Sequence, residues 1–169
     1  MTKFKFLLPL AVAVLAGCEA YSWRSSVPAE MRTVAVPVFQ NESAVTELGA
    51  KVSAQVAREL QREGTFSLAS LDTCAVEIQG VVKSADSKTI AYERRTGART
   101  REHRFTAKAE VSFIDKRTRR VVVDRRVYEA ETTFLVNDDI VTGERDASGR
   151  LAEELARQIV DDALSIKWK

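Results

Sequence analysis

The hydrophobic positions change period several times along the chain, and each change predicts an element. In "RTVAVPVFQN", Val34, Val36 and Val38 alternate with Ala35, Pro37 and Phe39, a β-rich run in which Pro37 predicts an edge position or a strand end. The period then lengthens. Val45, Leu48, Val52, Val56 and Leu60 recur at helical spacing, with Lys51, Gln55, Arg58 and Glu59 on the other side and Gly64 placed as a C-terminal stop. Alternation returns in "CAVEIQGVV", where Cys74, Val76, Ile78 and Val82 share a face and Gly80 signals a bulge or close packing. A strand, a helix and a strand in succession form a βαβ unit.

The second half repeats the strand signal more strongly. "REHRFTAKAEVSFID" places Phe105, Ala107, Ala109, Val111 and Phe113 on one face and Arg104, Thr106, Lys108, Glu110 and Ser112 on the other. "DKRTRR" follows as a polar turn, and "VVVDRRVYEAETTF" as the return strand of an antiparallel hairpin. Between Ser84 and His103 lies a polar stretch with a turn at Thr96-Gly97; its sequence fits a long loop or the projecting end of a hairpin equally well. After an acidic, Gly-containing connection from Asn137 to Gly149, the residues Leu151, Leu155, Ile159 and Ala163 predict a closing helix with Asp146 or Ser148 as its cap. The order β-α-β-β-β-α predicts an α+β domain, with two helices packed on one face of a four-stranded mixed sheet.

Before the domain, the pattern is of another kind. Lys3 and Lys5 precede an apolar run from Phe6 to Ala16, the arrangement of a secretory leader. The run is too short to span a bilayer, which takes roughly 20 apolar residues. It stops at "LAGC", a string that resembles the bacterial lipobox. That resemblance implies that residues 1–17 are removed, that Cys18 becomes the first residue, and that its thiol and amine carry diacylglycerol and acyl chains. Buried acyl chain contributes about 0.8 kcal/mol per CH₂, and more than one chain makes attachment long-lived. Glu19 is not the Asp that retains such proteins at the inner membrane, so the expected address is the periplasmic face of the outer membrane. Residues 18–32 then read as a lipidated tether and 33–169 as a single domain.

Composition narrows the chemistry. Removing 17 of 169 residues leaves 152 (169 − 17), a comfortable size for one core. Hydrophobic residues make up 45% and charged residues 30%, the balance of a folded domain. The net charge of +2 falls to zero (2 − 2) once Lys3 and Lys5 are gone, although arginines crowd the middle of the chain. With Cys18 lipidated, Cys74 has no partner for a disulfide and reads as a small apolar residue in a strand. A hydrolase needs a nucleophile, a base and an orienting group, and the one histidine, His103, sits between Glu102 and Arg104 on a strand expected to be exposed. There is no phosphate-binding glycine loop, no HExxH and no zinc spacing. The expectation is a protein that is not an enzyme, holds no metal or cofactor beyond the lipid on Cys18, and does not bind nucleic acid.

Taken together, "LAGCEAYSW", "RTVAVPVFQNES", "ELQREGTFSL", "AVEIQGVV" and the strand-turn-strand "FIDKRTRRVVVD" resemble the lipopolysaccharide-assembly lipoprotein family, LptE, over nearly the whole mature chain. The resemblance implies a partner of the large outer-membrane β-barrel LptD, seated in its lumen as a plug and assisting delivery of lipopolysaccharide to the outer leaflet. Within it, Lys116, Arg117, Arg119 and Arg120 become candidate lipopolysaccharide contacts, because Arg binds phosphate bidentately. A solvated turn whose charges keep an edge from aggregating is the alternative reading of the same four residues. "VAVPVFQN" also resembles the opening strand of periplasmic lipoproteins that activate peptidoglycan synthases, LpoB among them, or that scaffold other envelope complexes such as secretion assemblies. Such activators typically cross to the cell wall on a long linker, and Glu19 to Arg32 is short.

Overall fold

The computed structural model describes residues 27–95, 98–136 and 140–168. The leader, Cys18, the turn at Thr96-Gly97 and Asn137 to Asp139 lie outside them. Six strands and two helices follow a short 3-10 turn at Ala29–Met31: β1 (Thr33–Ala35), β2 (Gln40–Asn41), α1 (Leu48–Glu63), β3 (Ser67–Leu68), β4 (Val76–Arg95), β5 (Ala98–Asp115), β6 (Arg120–Val136) and α2 (Ile140–Ser165). The sheet runs β3-β1-β4-β5-β6, with β2 paired to β4 beyond the end of β1. β1, β2 and β3 pair in parallel, while β4-β5-β6 is an antiparallel meander. The α+β class and mixed sheet are as expected; the two additional strands, β2 and β3, are two residues each.

Helix α1 follows its sequence signal. Leu48, Val52, Val56 and Leu60 are completely buried along one stripe, and each fully buried aliphatic side chain contributes about 1.5–3 kcal/mol. Asn41 organises the entry: its amide donates to the Val45 carbonyl (2.8 Å) and its Oδ1 accepts from the Ser43 N–H (3.1 Å). At the far end Gly64 adopts a left-handed conformation (φ 85°) and its N–H bonds the Leu60 carbonyl, the usual glycine stop.

Pro37 ends β1, as predicted, but β1 lies between β3 and β4 rather than at an edge. No ladder bond is lost, because the proline falls after the strand closes at Ala35. Gly80 serves close packing: a Cβ there would come within 2.3 Å of two Phe39 ring carbons. The bulge sits three residues on, between Val82 and Ser84. Before it, Val76, Ile78 and Val82 face inward; after it, Ala85 does. That reversal lets β4 and β5 continue far past the point where alternation in β4 breaks down, so the stretch from Ser84 to His103 is largely paired strand.

Both helices pack over the face lined by Phe105, Ala107, Ala109, Val111 and Phe113, all completely buried. The closing helix begins at Ile140, not beyond Gly149, and Asp146 and Ser148 are interior to it rather than caps. Two contacts explain the extension. Gly143 lies against the Phe134 ring, where a Cβ would not fit, and Ala147, Ser148, Leu151 and Ala152 are buried one turn apart. Ser148 Oγ donates to the Arg145 carbonyl and accepts from Lys51 Nζ, both at 2.6 Å, so this polar position joins the helices. Val27 and Met31 also enter the core, so the end of the expected tether packs with the domain.

Candidate functional site

The turn joining β5 to β6 is built on Asp115. This carboxylate is buried, and its Oδ1 accepts the backbone N–H groups of Arg117 (2.9 Å) and Thr118 (3.3 Å). Burial pushes the carboxyl upward, but the hydrogen bonds of Thr118 and Arg117 and the Arg117 charge outweigh it and hold Asp115 below the usual carboxylate range. Arg119 closes the turn with φ 55°, the left-handed region. The Lys116 N–H bonds the Ala75 carbonyl (2.8 Å), fastening the turn to the start of β4.

The four basic residues are not equivalent. Lys116 Nζ reaches Glu77 Oε2 at 2.9 Å, and Gln79 Nε2 donates to the other oxygen of Glu77 at 2.7 Å. Burial would raise the Glu77 carboxyl; Gln79 and Lys116 reverse the effect and lower it. Arg117 Nε stands 3.7 Å from Asp115. Arg119 and Arg120 are exposed and form no ion pair among the described residues. Beside them Asp115, Thr118, Arg120, Val122 and Lys167 line an open recess of about 380 Å³. Lys167, which sequence reasoning passed over, thus joins the cluster from the far end of the chain. Arg120 and Lys167 have no ion-pair partner among the described residues and, with the Thr118 hydroxyl, outnumber the Asp115 carboxylate, a set that suits an anion such as a phosphate ester.

The sheet face opposite the helices is the second broad feature. Pro37, Val38 and Leu71 form an apolar side of a groove of about 470 Å³, and Glu110, Ser112, Asp124 and Arg125 a polar side. Val38 is 73% exposed. Arg125 occupies a bulge (φ 40°), its N–H bonded to Ser112 Oγ at 2.9 Å. On the helix side, Asp162 accepts from the Tyr128 hydroxyl and from Arg126. Burial and the Asp162 charge together push the Tyr128 phenol far above its usual range.

His103 departs from expectation. It is only 6% exposed, stacks on Phe134 with centroids 5.4 Å apart, and meets Thr89 Oγ1 through Nε2 at 3.3 Å; its Nδ1 has no partner among the described residues. The cause is register. Position 103 shares the inward phase of Phe105 and Ala107, a signal that its charged neighbours obscured. Cys74 is buried as expected, but in the turn before β4 rather than in a strand. Among the described residues no group of three or more His, Cys, Asp or Glu could hold a metal ion, and no helix is long and apolar enough to cross a membrane.

Comparison with known proteins follows the same lines. No curated protein matches the chain significantly. Among solved structures, a hypothetical protein from Chlamydia trachomatis superposes with a TM-score of 0.55 at 13% identity, covering 80% of this chain and 96% of that one. A protein from Xanthomonas campestris gives 0.53 at 11% identity, covering 83% and 90%. At such identities these likenesses speak for the fold alone. A protein-family model, LptE, described as lipopolysaccharide-assembly, matches residues 31–163, from the buried Met31 to the last turn of α2. The chain therefore belongs to the LptE lipopolysaccharide-assembly family.

Proposed function

We propose that this chain is an outer-membrane lipoprotein, held on the periplasmic side by acylated Cys18, that partners an LptD-like β-barrel as a plug and assembly factor for lipopolysaccharide transport. The observation that carries the reading is the family match, which spans 31–163 and so takes in the core, both helices and the basic turn. The role is one of scaffolding and contact, with no bond made or broken by the chain itself. Covalent acyl chains on Cys18 are the only added group it requires.

The geometry supplies the physical means. Nine residue steps separate Cys18 from the core residue Val27; even fully extended they reach only about 30 Å. The domain is thus held close to its membrane, as a partner of a membrane barrel needs to be. A barrel lumen is polar, and the open sheet face bears exposed ion pairs, Lys108 with Glu129 (3.2 Å) and Arg104 with Glu131 (3.7 Å). Such pairs can exchange partners at little cost, since each is worth about 0–1 kcal/mol. At the basic turn, Arg119 and Arg120 are the residues available to a lipopolysaccharide phosphate, while Lys116 and Arg117 remain engaged with Glu77 and Asp115.

Isolation of the full-length lipidated protein from detergent-solubilised envelope tests the reading. Recovery of a large outer-membrane β-barrel in stoichiometric amount supports it. Recovery of a peptidoglycan synthase instead would transfer the chain to the activator class.

A further inference from the structure

The domain has two ends, and the chain enters at one of them. Thr33 opens β1; its carbonyl accepts the Ala75 N–H (3.0 Å), and the Ala75 carbonyl accepts the Lys116 N–H (2.8 Å). The starts of β1, β4 and β6 and the close of β5 therefore lie side by side. Val27 is drawn to the same end, because the 3-10 turn Ala29–Met31 folds the chain just before β1 and Arg32 Nε donates to the Val27 carbonyl (3.2 Å). The end of α2 arrives there as well, with Lys167 beside Arg120 and the Trp168 ring edge-on to Phe113. Arg95 and Ala98 pair at the opposite end. The 18 residues of β5 run between the two, a span of about 55 Å.

Charge at the entry end is not evenly spread. Glu77 and Asp115 are buried and engaged with Lys116 and Arg117. Asp162 is held by Arg126 and Tyr128, and Asp161 is set back within α2. The exposed acids Glu30 and Asp72 stand on the β1–β4 side, with Asp72 in electrostatic reach of Lys116. That leaves Arg119, Arg120 and Lys167 on the β6–α2 corner, exposed and without an ion pair among the described residues. The corner belongs to the end from which the tether runs to Cys18. A tether of about 30 Å keeps that end at high local concentration against a bilayer, but a flexible tether does not by itself orient a domain almost twice as long.

We propose that this corner is an electrostatic contact for the bilayer that holds the anchor: Arg119, Arg120 and Lys167 bind phosphates of anionic phospholipids and stand the long axis of β5 away from the membrane. An acyl anchor and a basic patch reinforce one another in membrane attachment, and each Lys or Arg near an anionic surface strengthens binding about fivefold. The orienting effect rests on acylation of Cys18 and not on the barrel partner. Lipopolysaccharide carries the same phosphate chemistry and competes for the same cations.

The test places the native acylated protein in bicelles of phosphatidylcholine with one-third phosphatidylglycerol, free of lipopolysaccharide and carrying a spin-labelled headgroup. NMR signal broadening should be strongest at Thr118, Arg119, Arg120 and Lys167 and absent at Ile90 and Leu135, toward the far end. Neutral bicelles, or the variant combining Arg119→Ser, Arg120→Ser and Lys167→Ser, should abolish that contrast with Tm unchanged. A second arm removes the anchor. The mature chain, residues 18–169 with Cys18→Ser, should bind anionic vesicles about a hundredfold more tightly than the same chain carrying the three substitutions, and raised salt should erase the difference. Equal broadening at both ends, a contrast that survives the triple variant, or one that appears only after lipopolysaccharide is added would overturn the proposal, as would equal vesicle binding in the second arm. Mass spectrometry separates the two readings: an unmodified Cys18 with the vesicle difference intact removes the anchor and leaves the phospholipid contact standing.

Discussion

Replacing Asp115 with Ala should loosen the basic turn, and the size of the effect follows from what the carboxylate holds. It is buried and satisfies two backbone donors, the N–H groups of Arg117 and Thr118, in a turn that also carries Arg119 at φ 55°. Two backbone hydrogen bonds, the second a long one at 3.3 Å, each counted at the ordinary net worth of about 1–1.5 kcal/mol, give a loss of about 2–3 kcal/mol. For a domain of this length that lowers Tm by about 4–12 °C. Asp115→Asn keeps an acceptor oxygen and should lose only about 1 kcal/mol. The pH dependence separates charge from shape. Asp115 is held below its ordinary value in the folded state, so its contribution is complete above the unfolded value of about 4 and disappears as pH falls through the folded one. Urea unfolding of the wild type and of Asp115→Asn between pH 6 and 2.5 is the assay. The wild type should lose more stability than Asp115→Asn over the acid range. Parallel profiles, or an Asp115→Ala variant as stable as the wild type, would refute the turn as described.

Other consequences are accessible to the same methods. Gly80→Ala should destabilise the fold by about 1–3 kcal/mol by driving a methyl into the Phe39 ring, and its effect should shrink in a Phe39→Leu background measured by chemical denaturation. Leu155→Ala, in the centre of α2 and completely buried, should cost about 2–5 kcal/mol in the same assay. Replacing Arg119 and Arg120 by Ser should weaken binding of purified lipopolysaccharide with Tm unchanged. Lys116→Ser should do the reverse, because Lys116 is engaged with the buried carboxylate of Glu77.

Much of this architecture is legible in the sequence where one period persists. Helix α1, its glycine stop and the inward face of β5 follow directly from spacing, because nothing interrupts them. The polar stretch after Ser84 is ambiguous in sequence for a physical reason. The bulge at Lys83 reverses the phase of β4, so a window spanning it averages two opposite alternations to nothing. Gly143 and Gly149, residues that normally mark loops, obscure the start of α2 in the sequence. Only the ring of Phe134, supplied by a distant strand, shows why Gly143 belongs in a helix. The basic turn could be located from its charges, yet their division could not. The partners that engage Lys116 and Arg117, and the Lys167 that joins Arg120, come from β4, from the buried end of β5 and from the C-terminus.

The role in lipopolysaccharide assembly is tested most directly by depleting the chain in its own cells and measuring lipopolysaccharide at the cell surface together with the amount of folded partner barrel in the outer membrane. The account predicts that both fall together and that expression of the wild-type chain restores both. Unchanged surface lipopolysaccharide and unchanged barrel after complete depletion would contradict it.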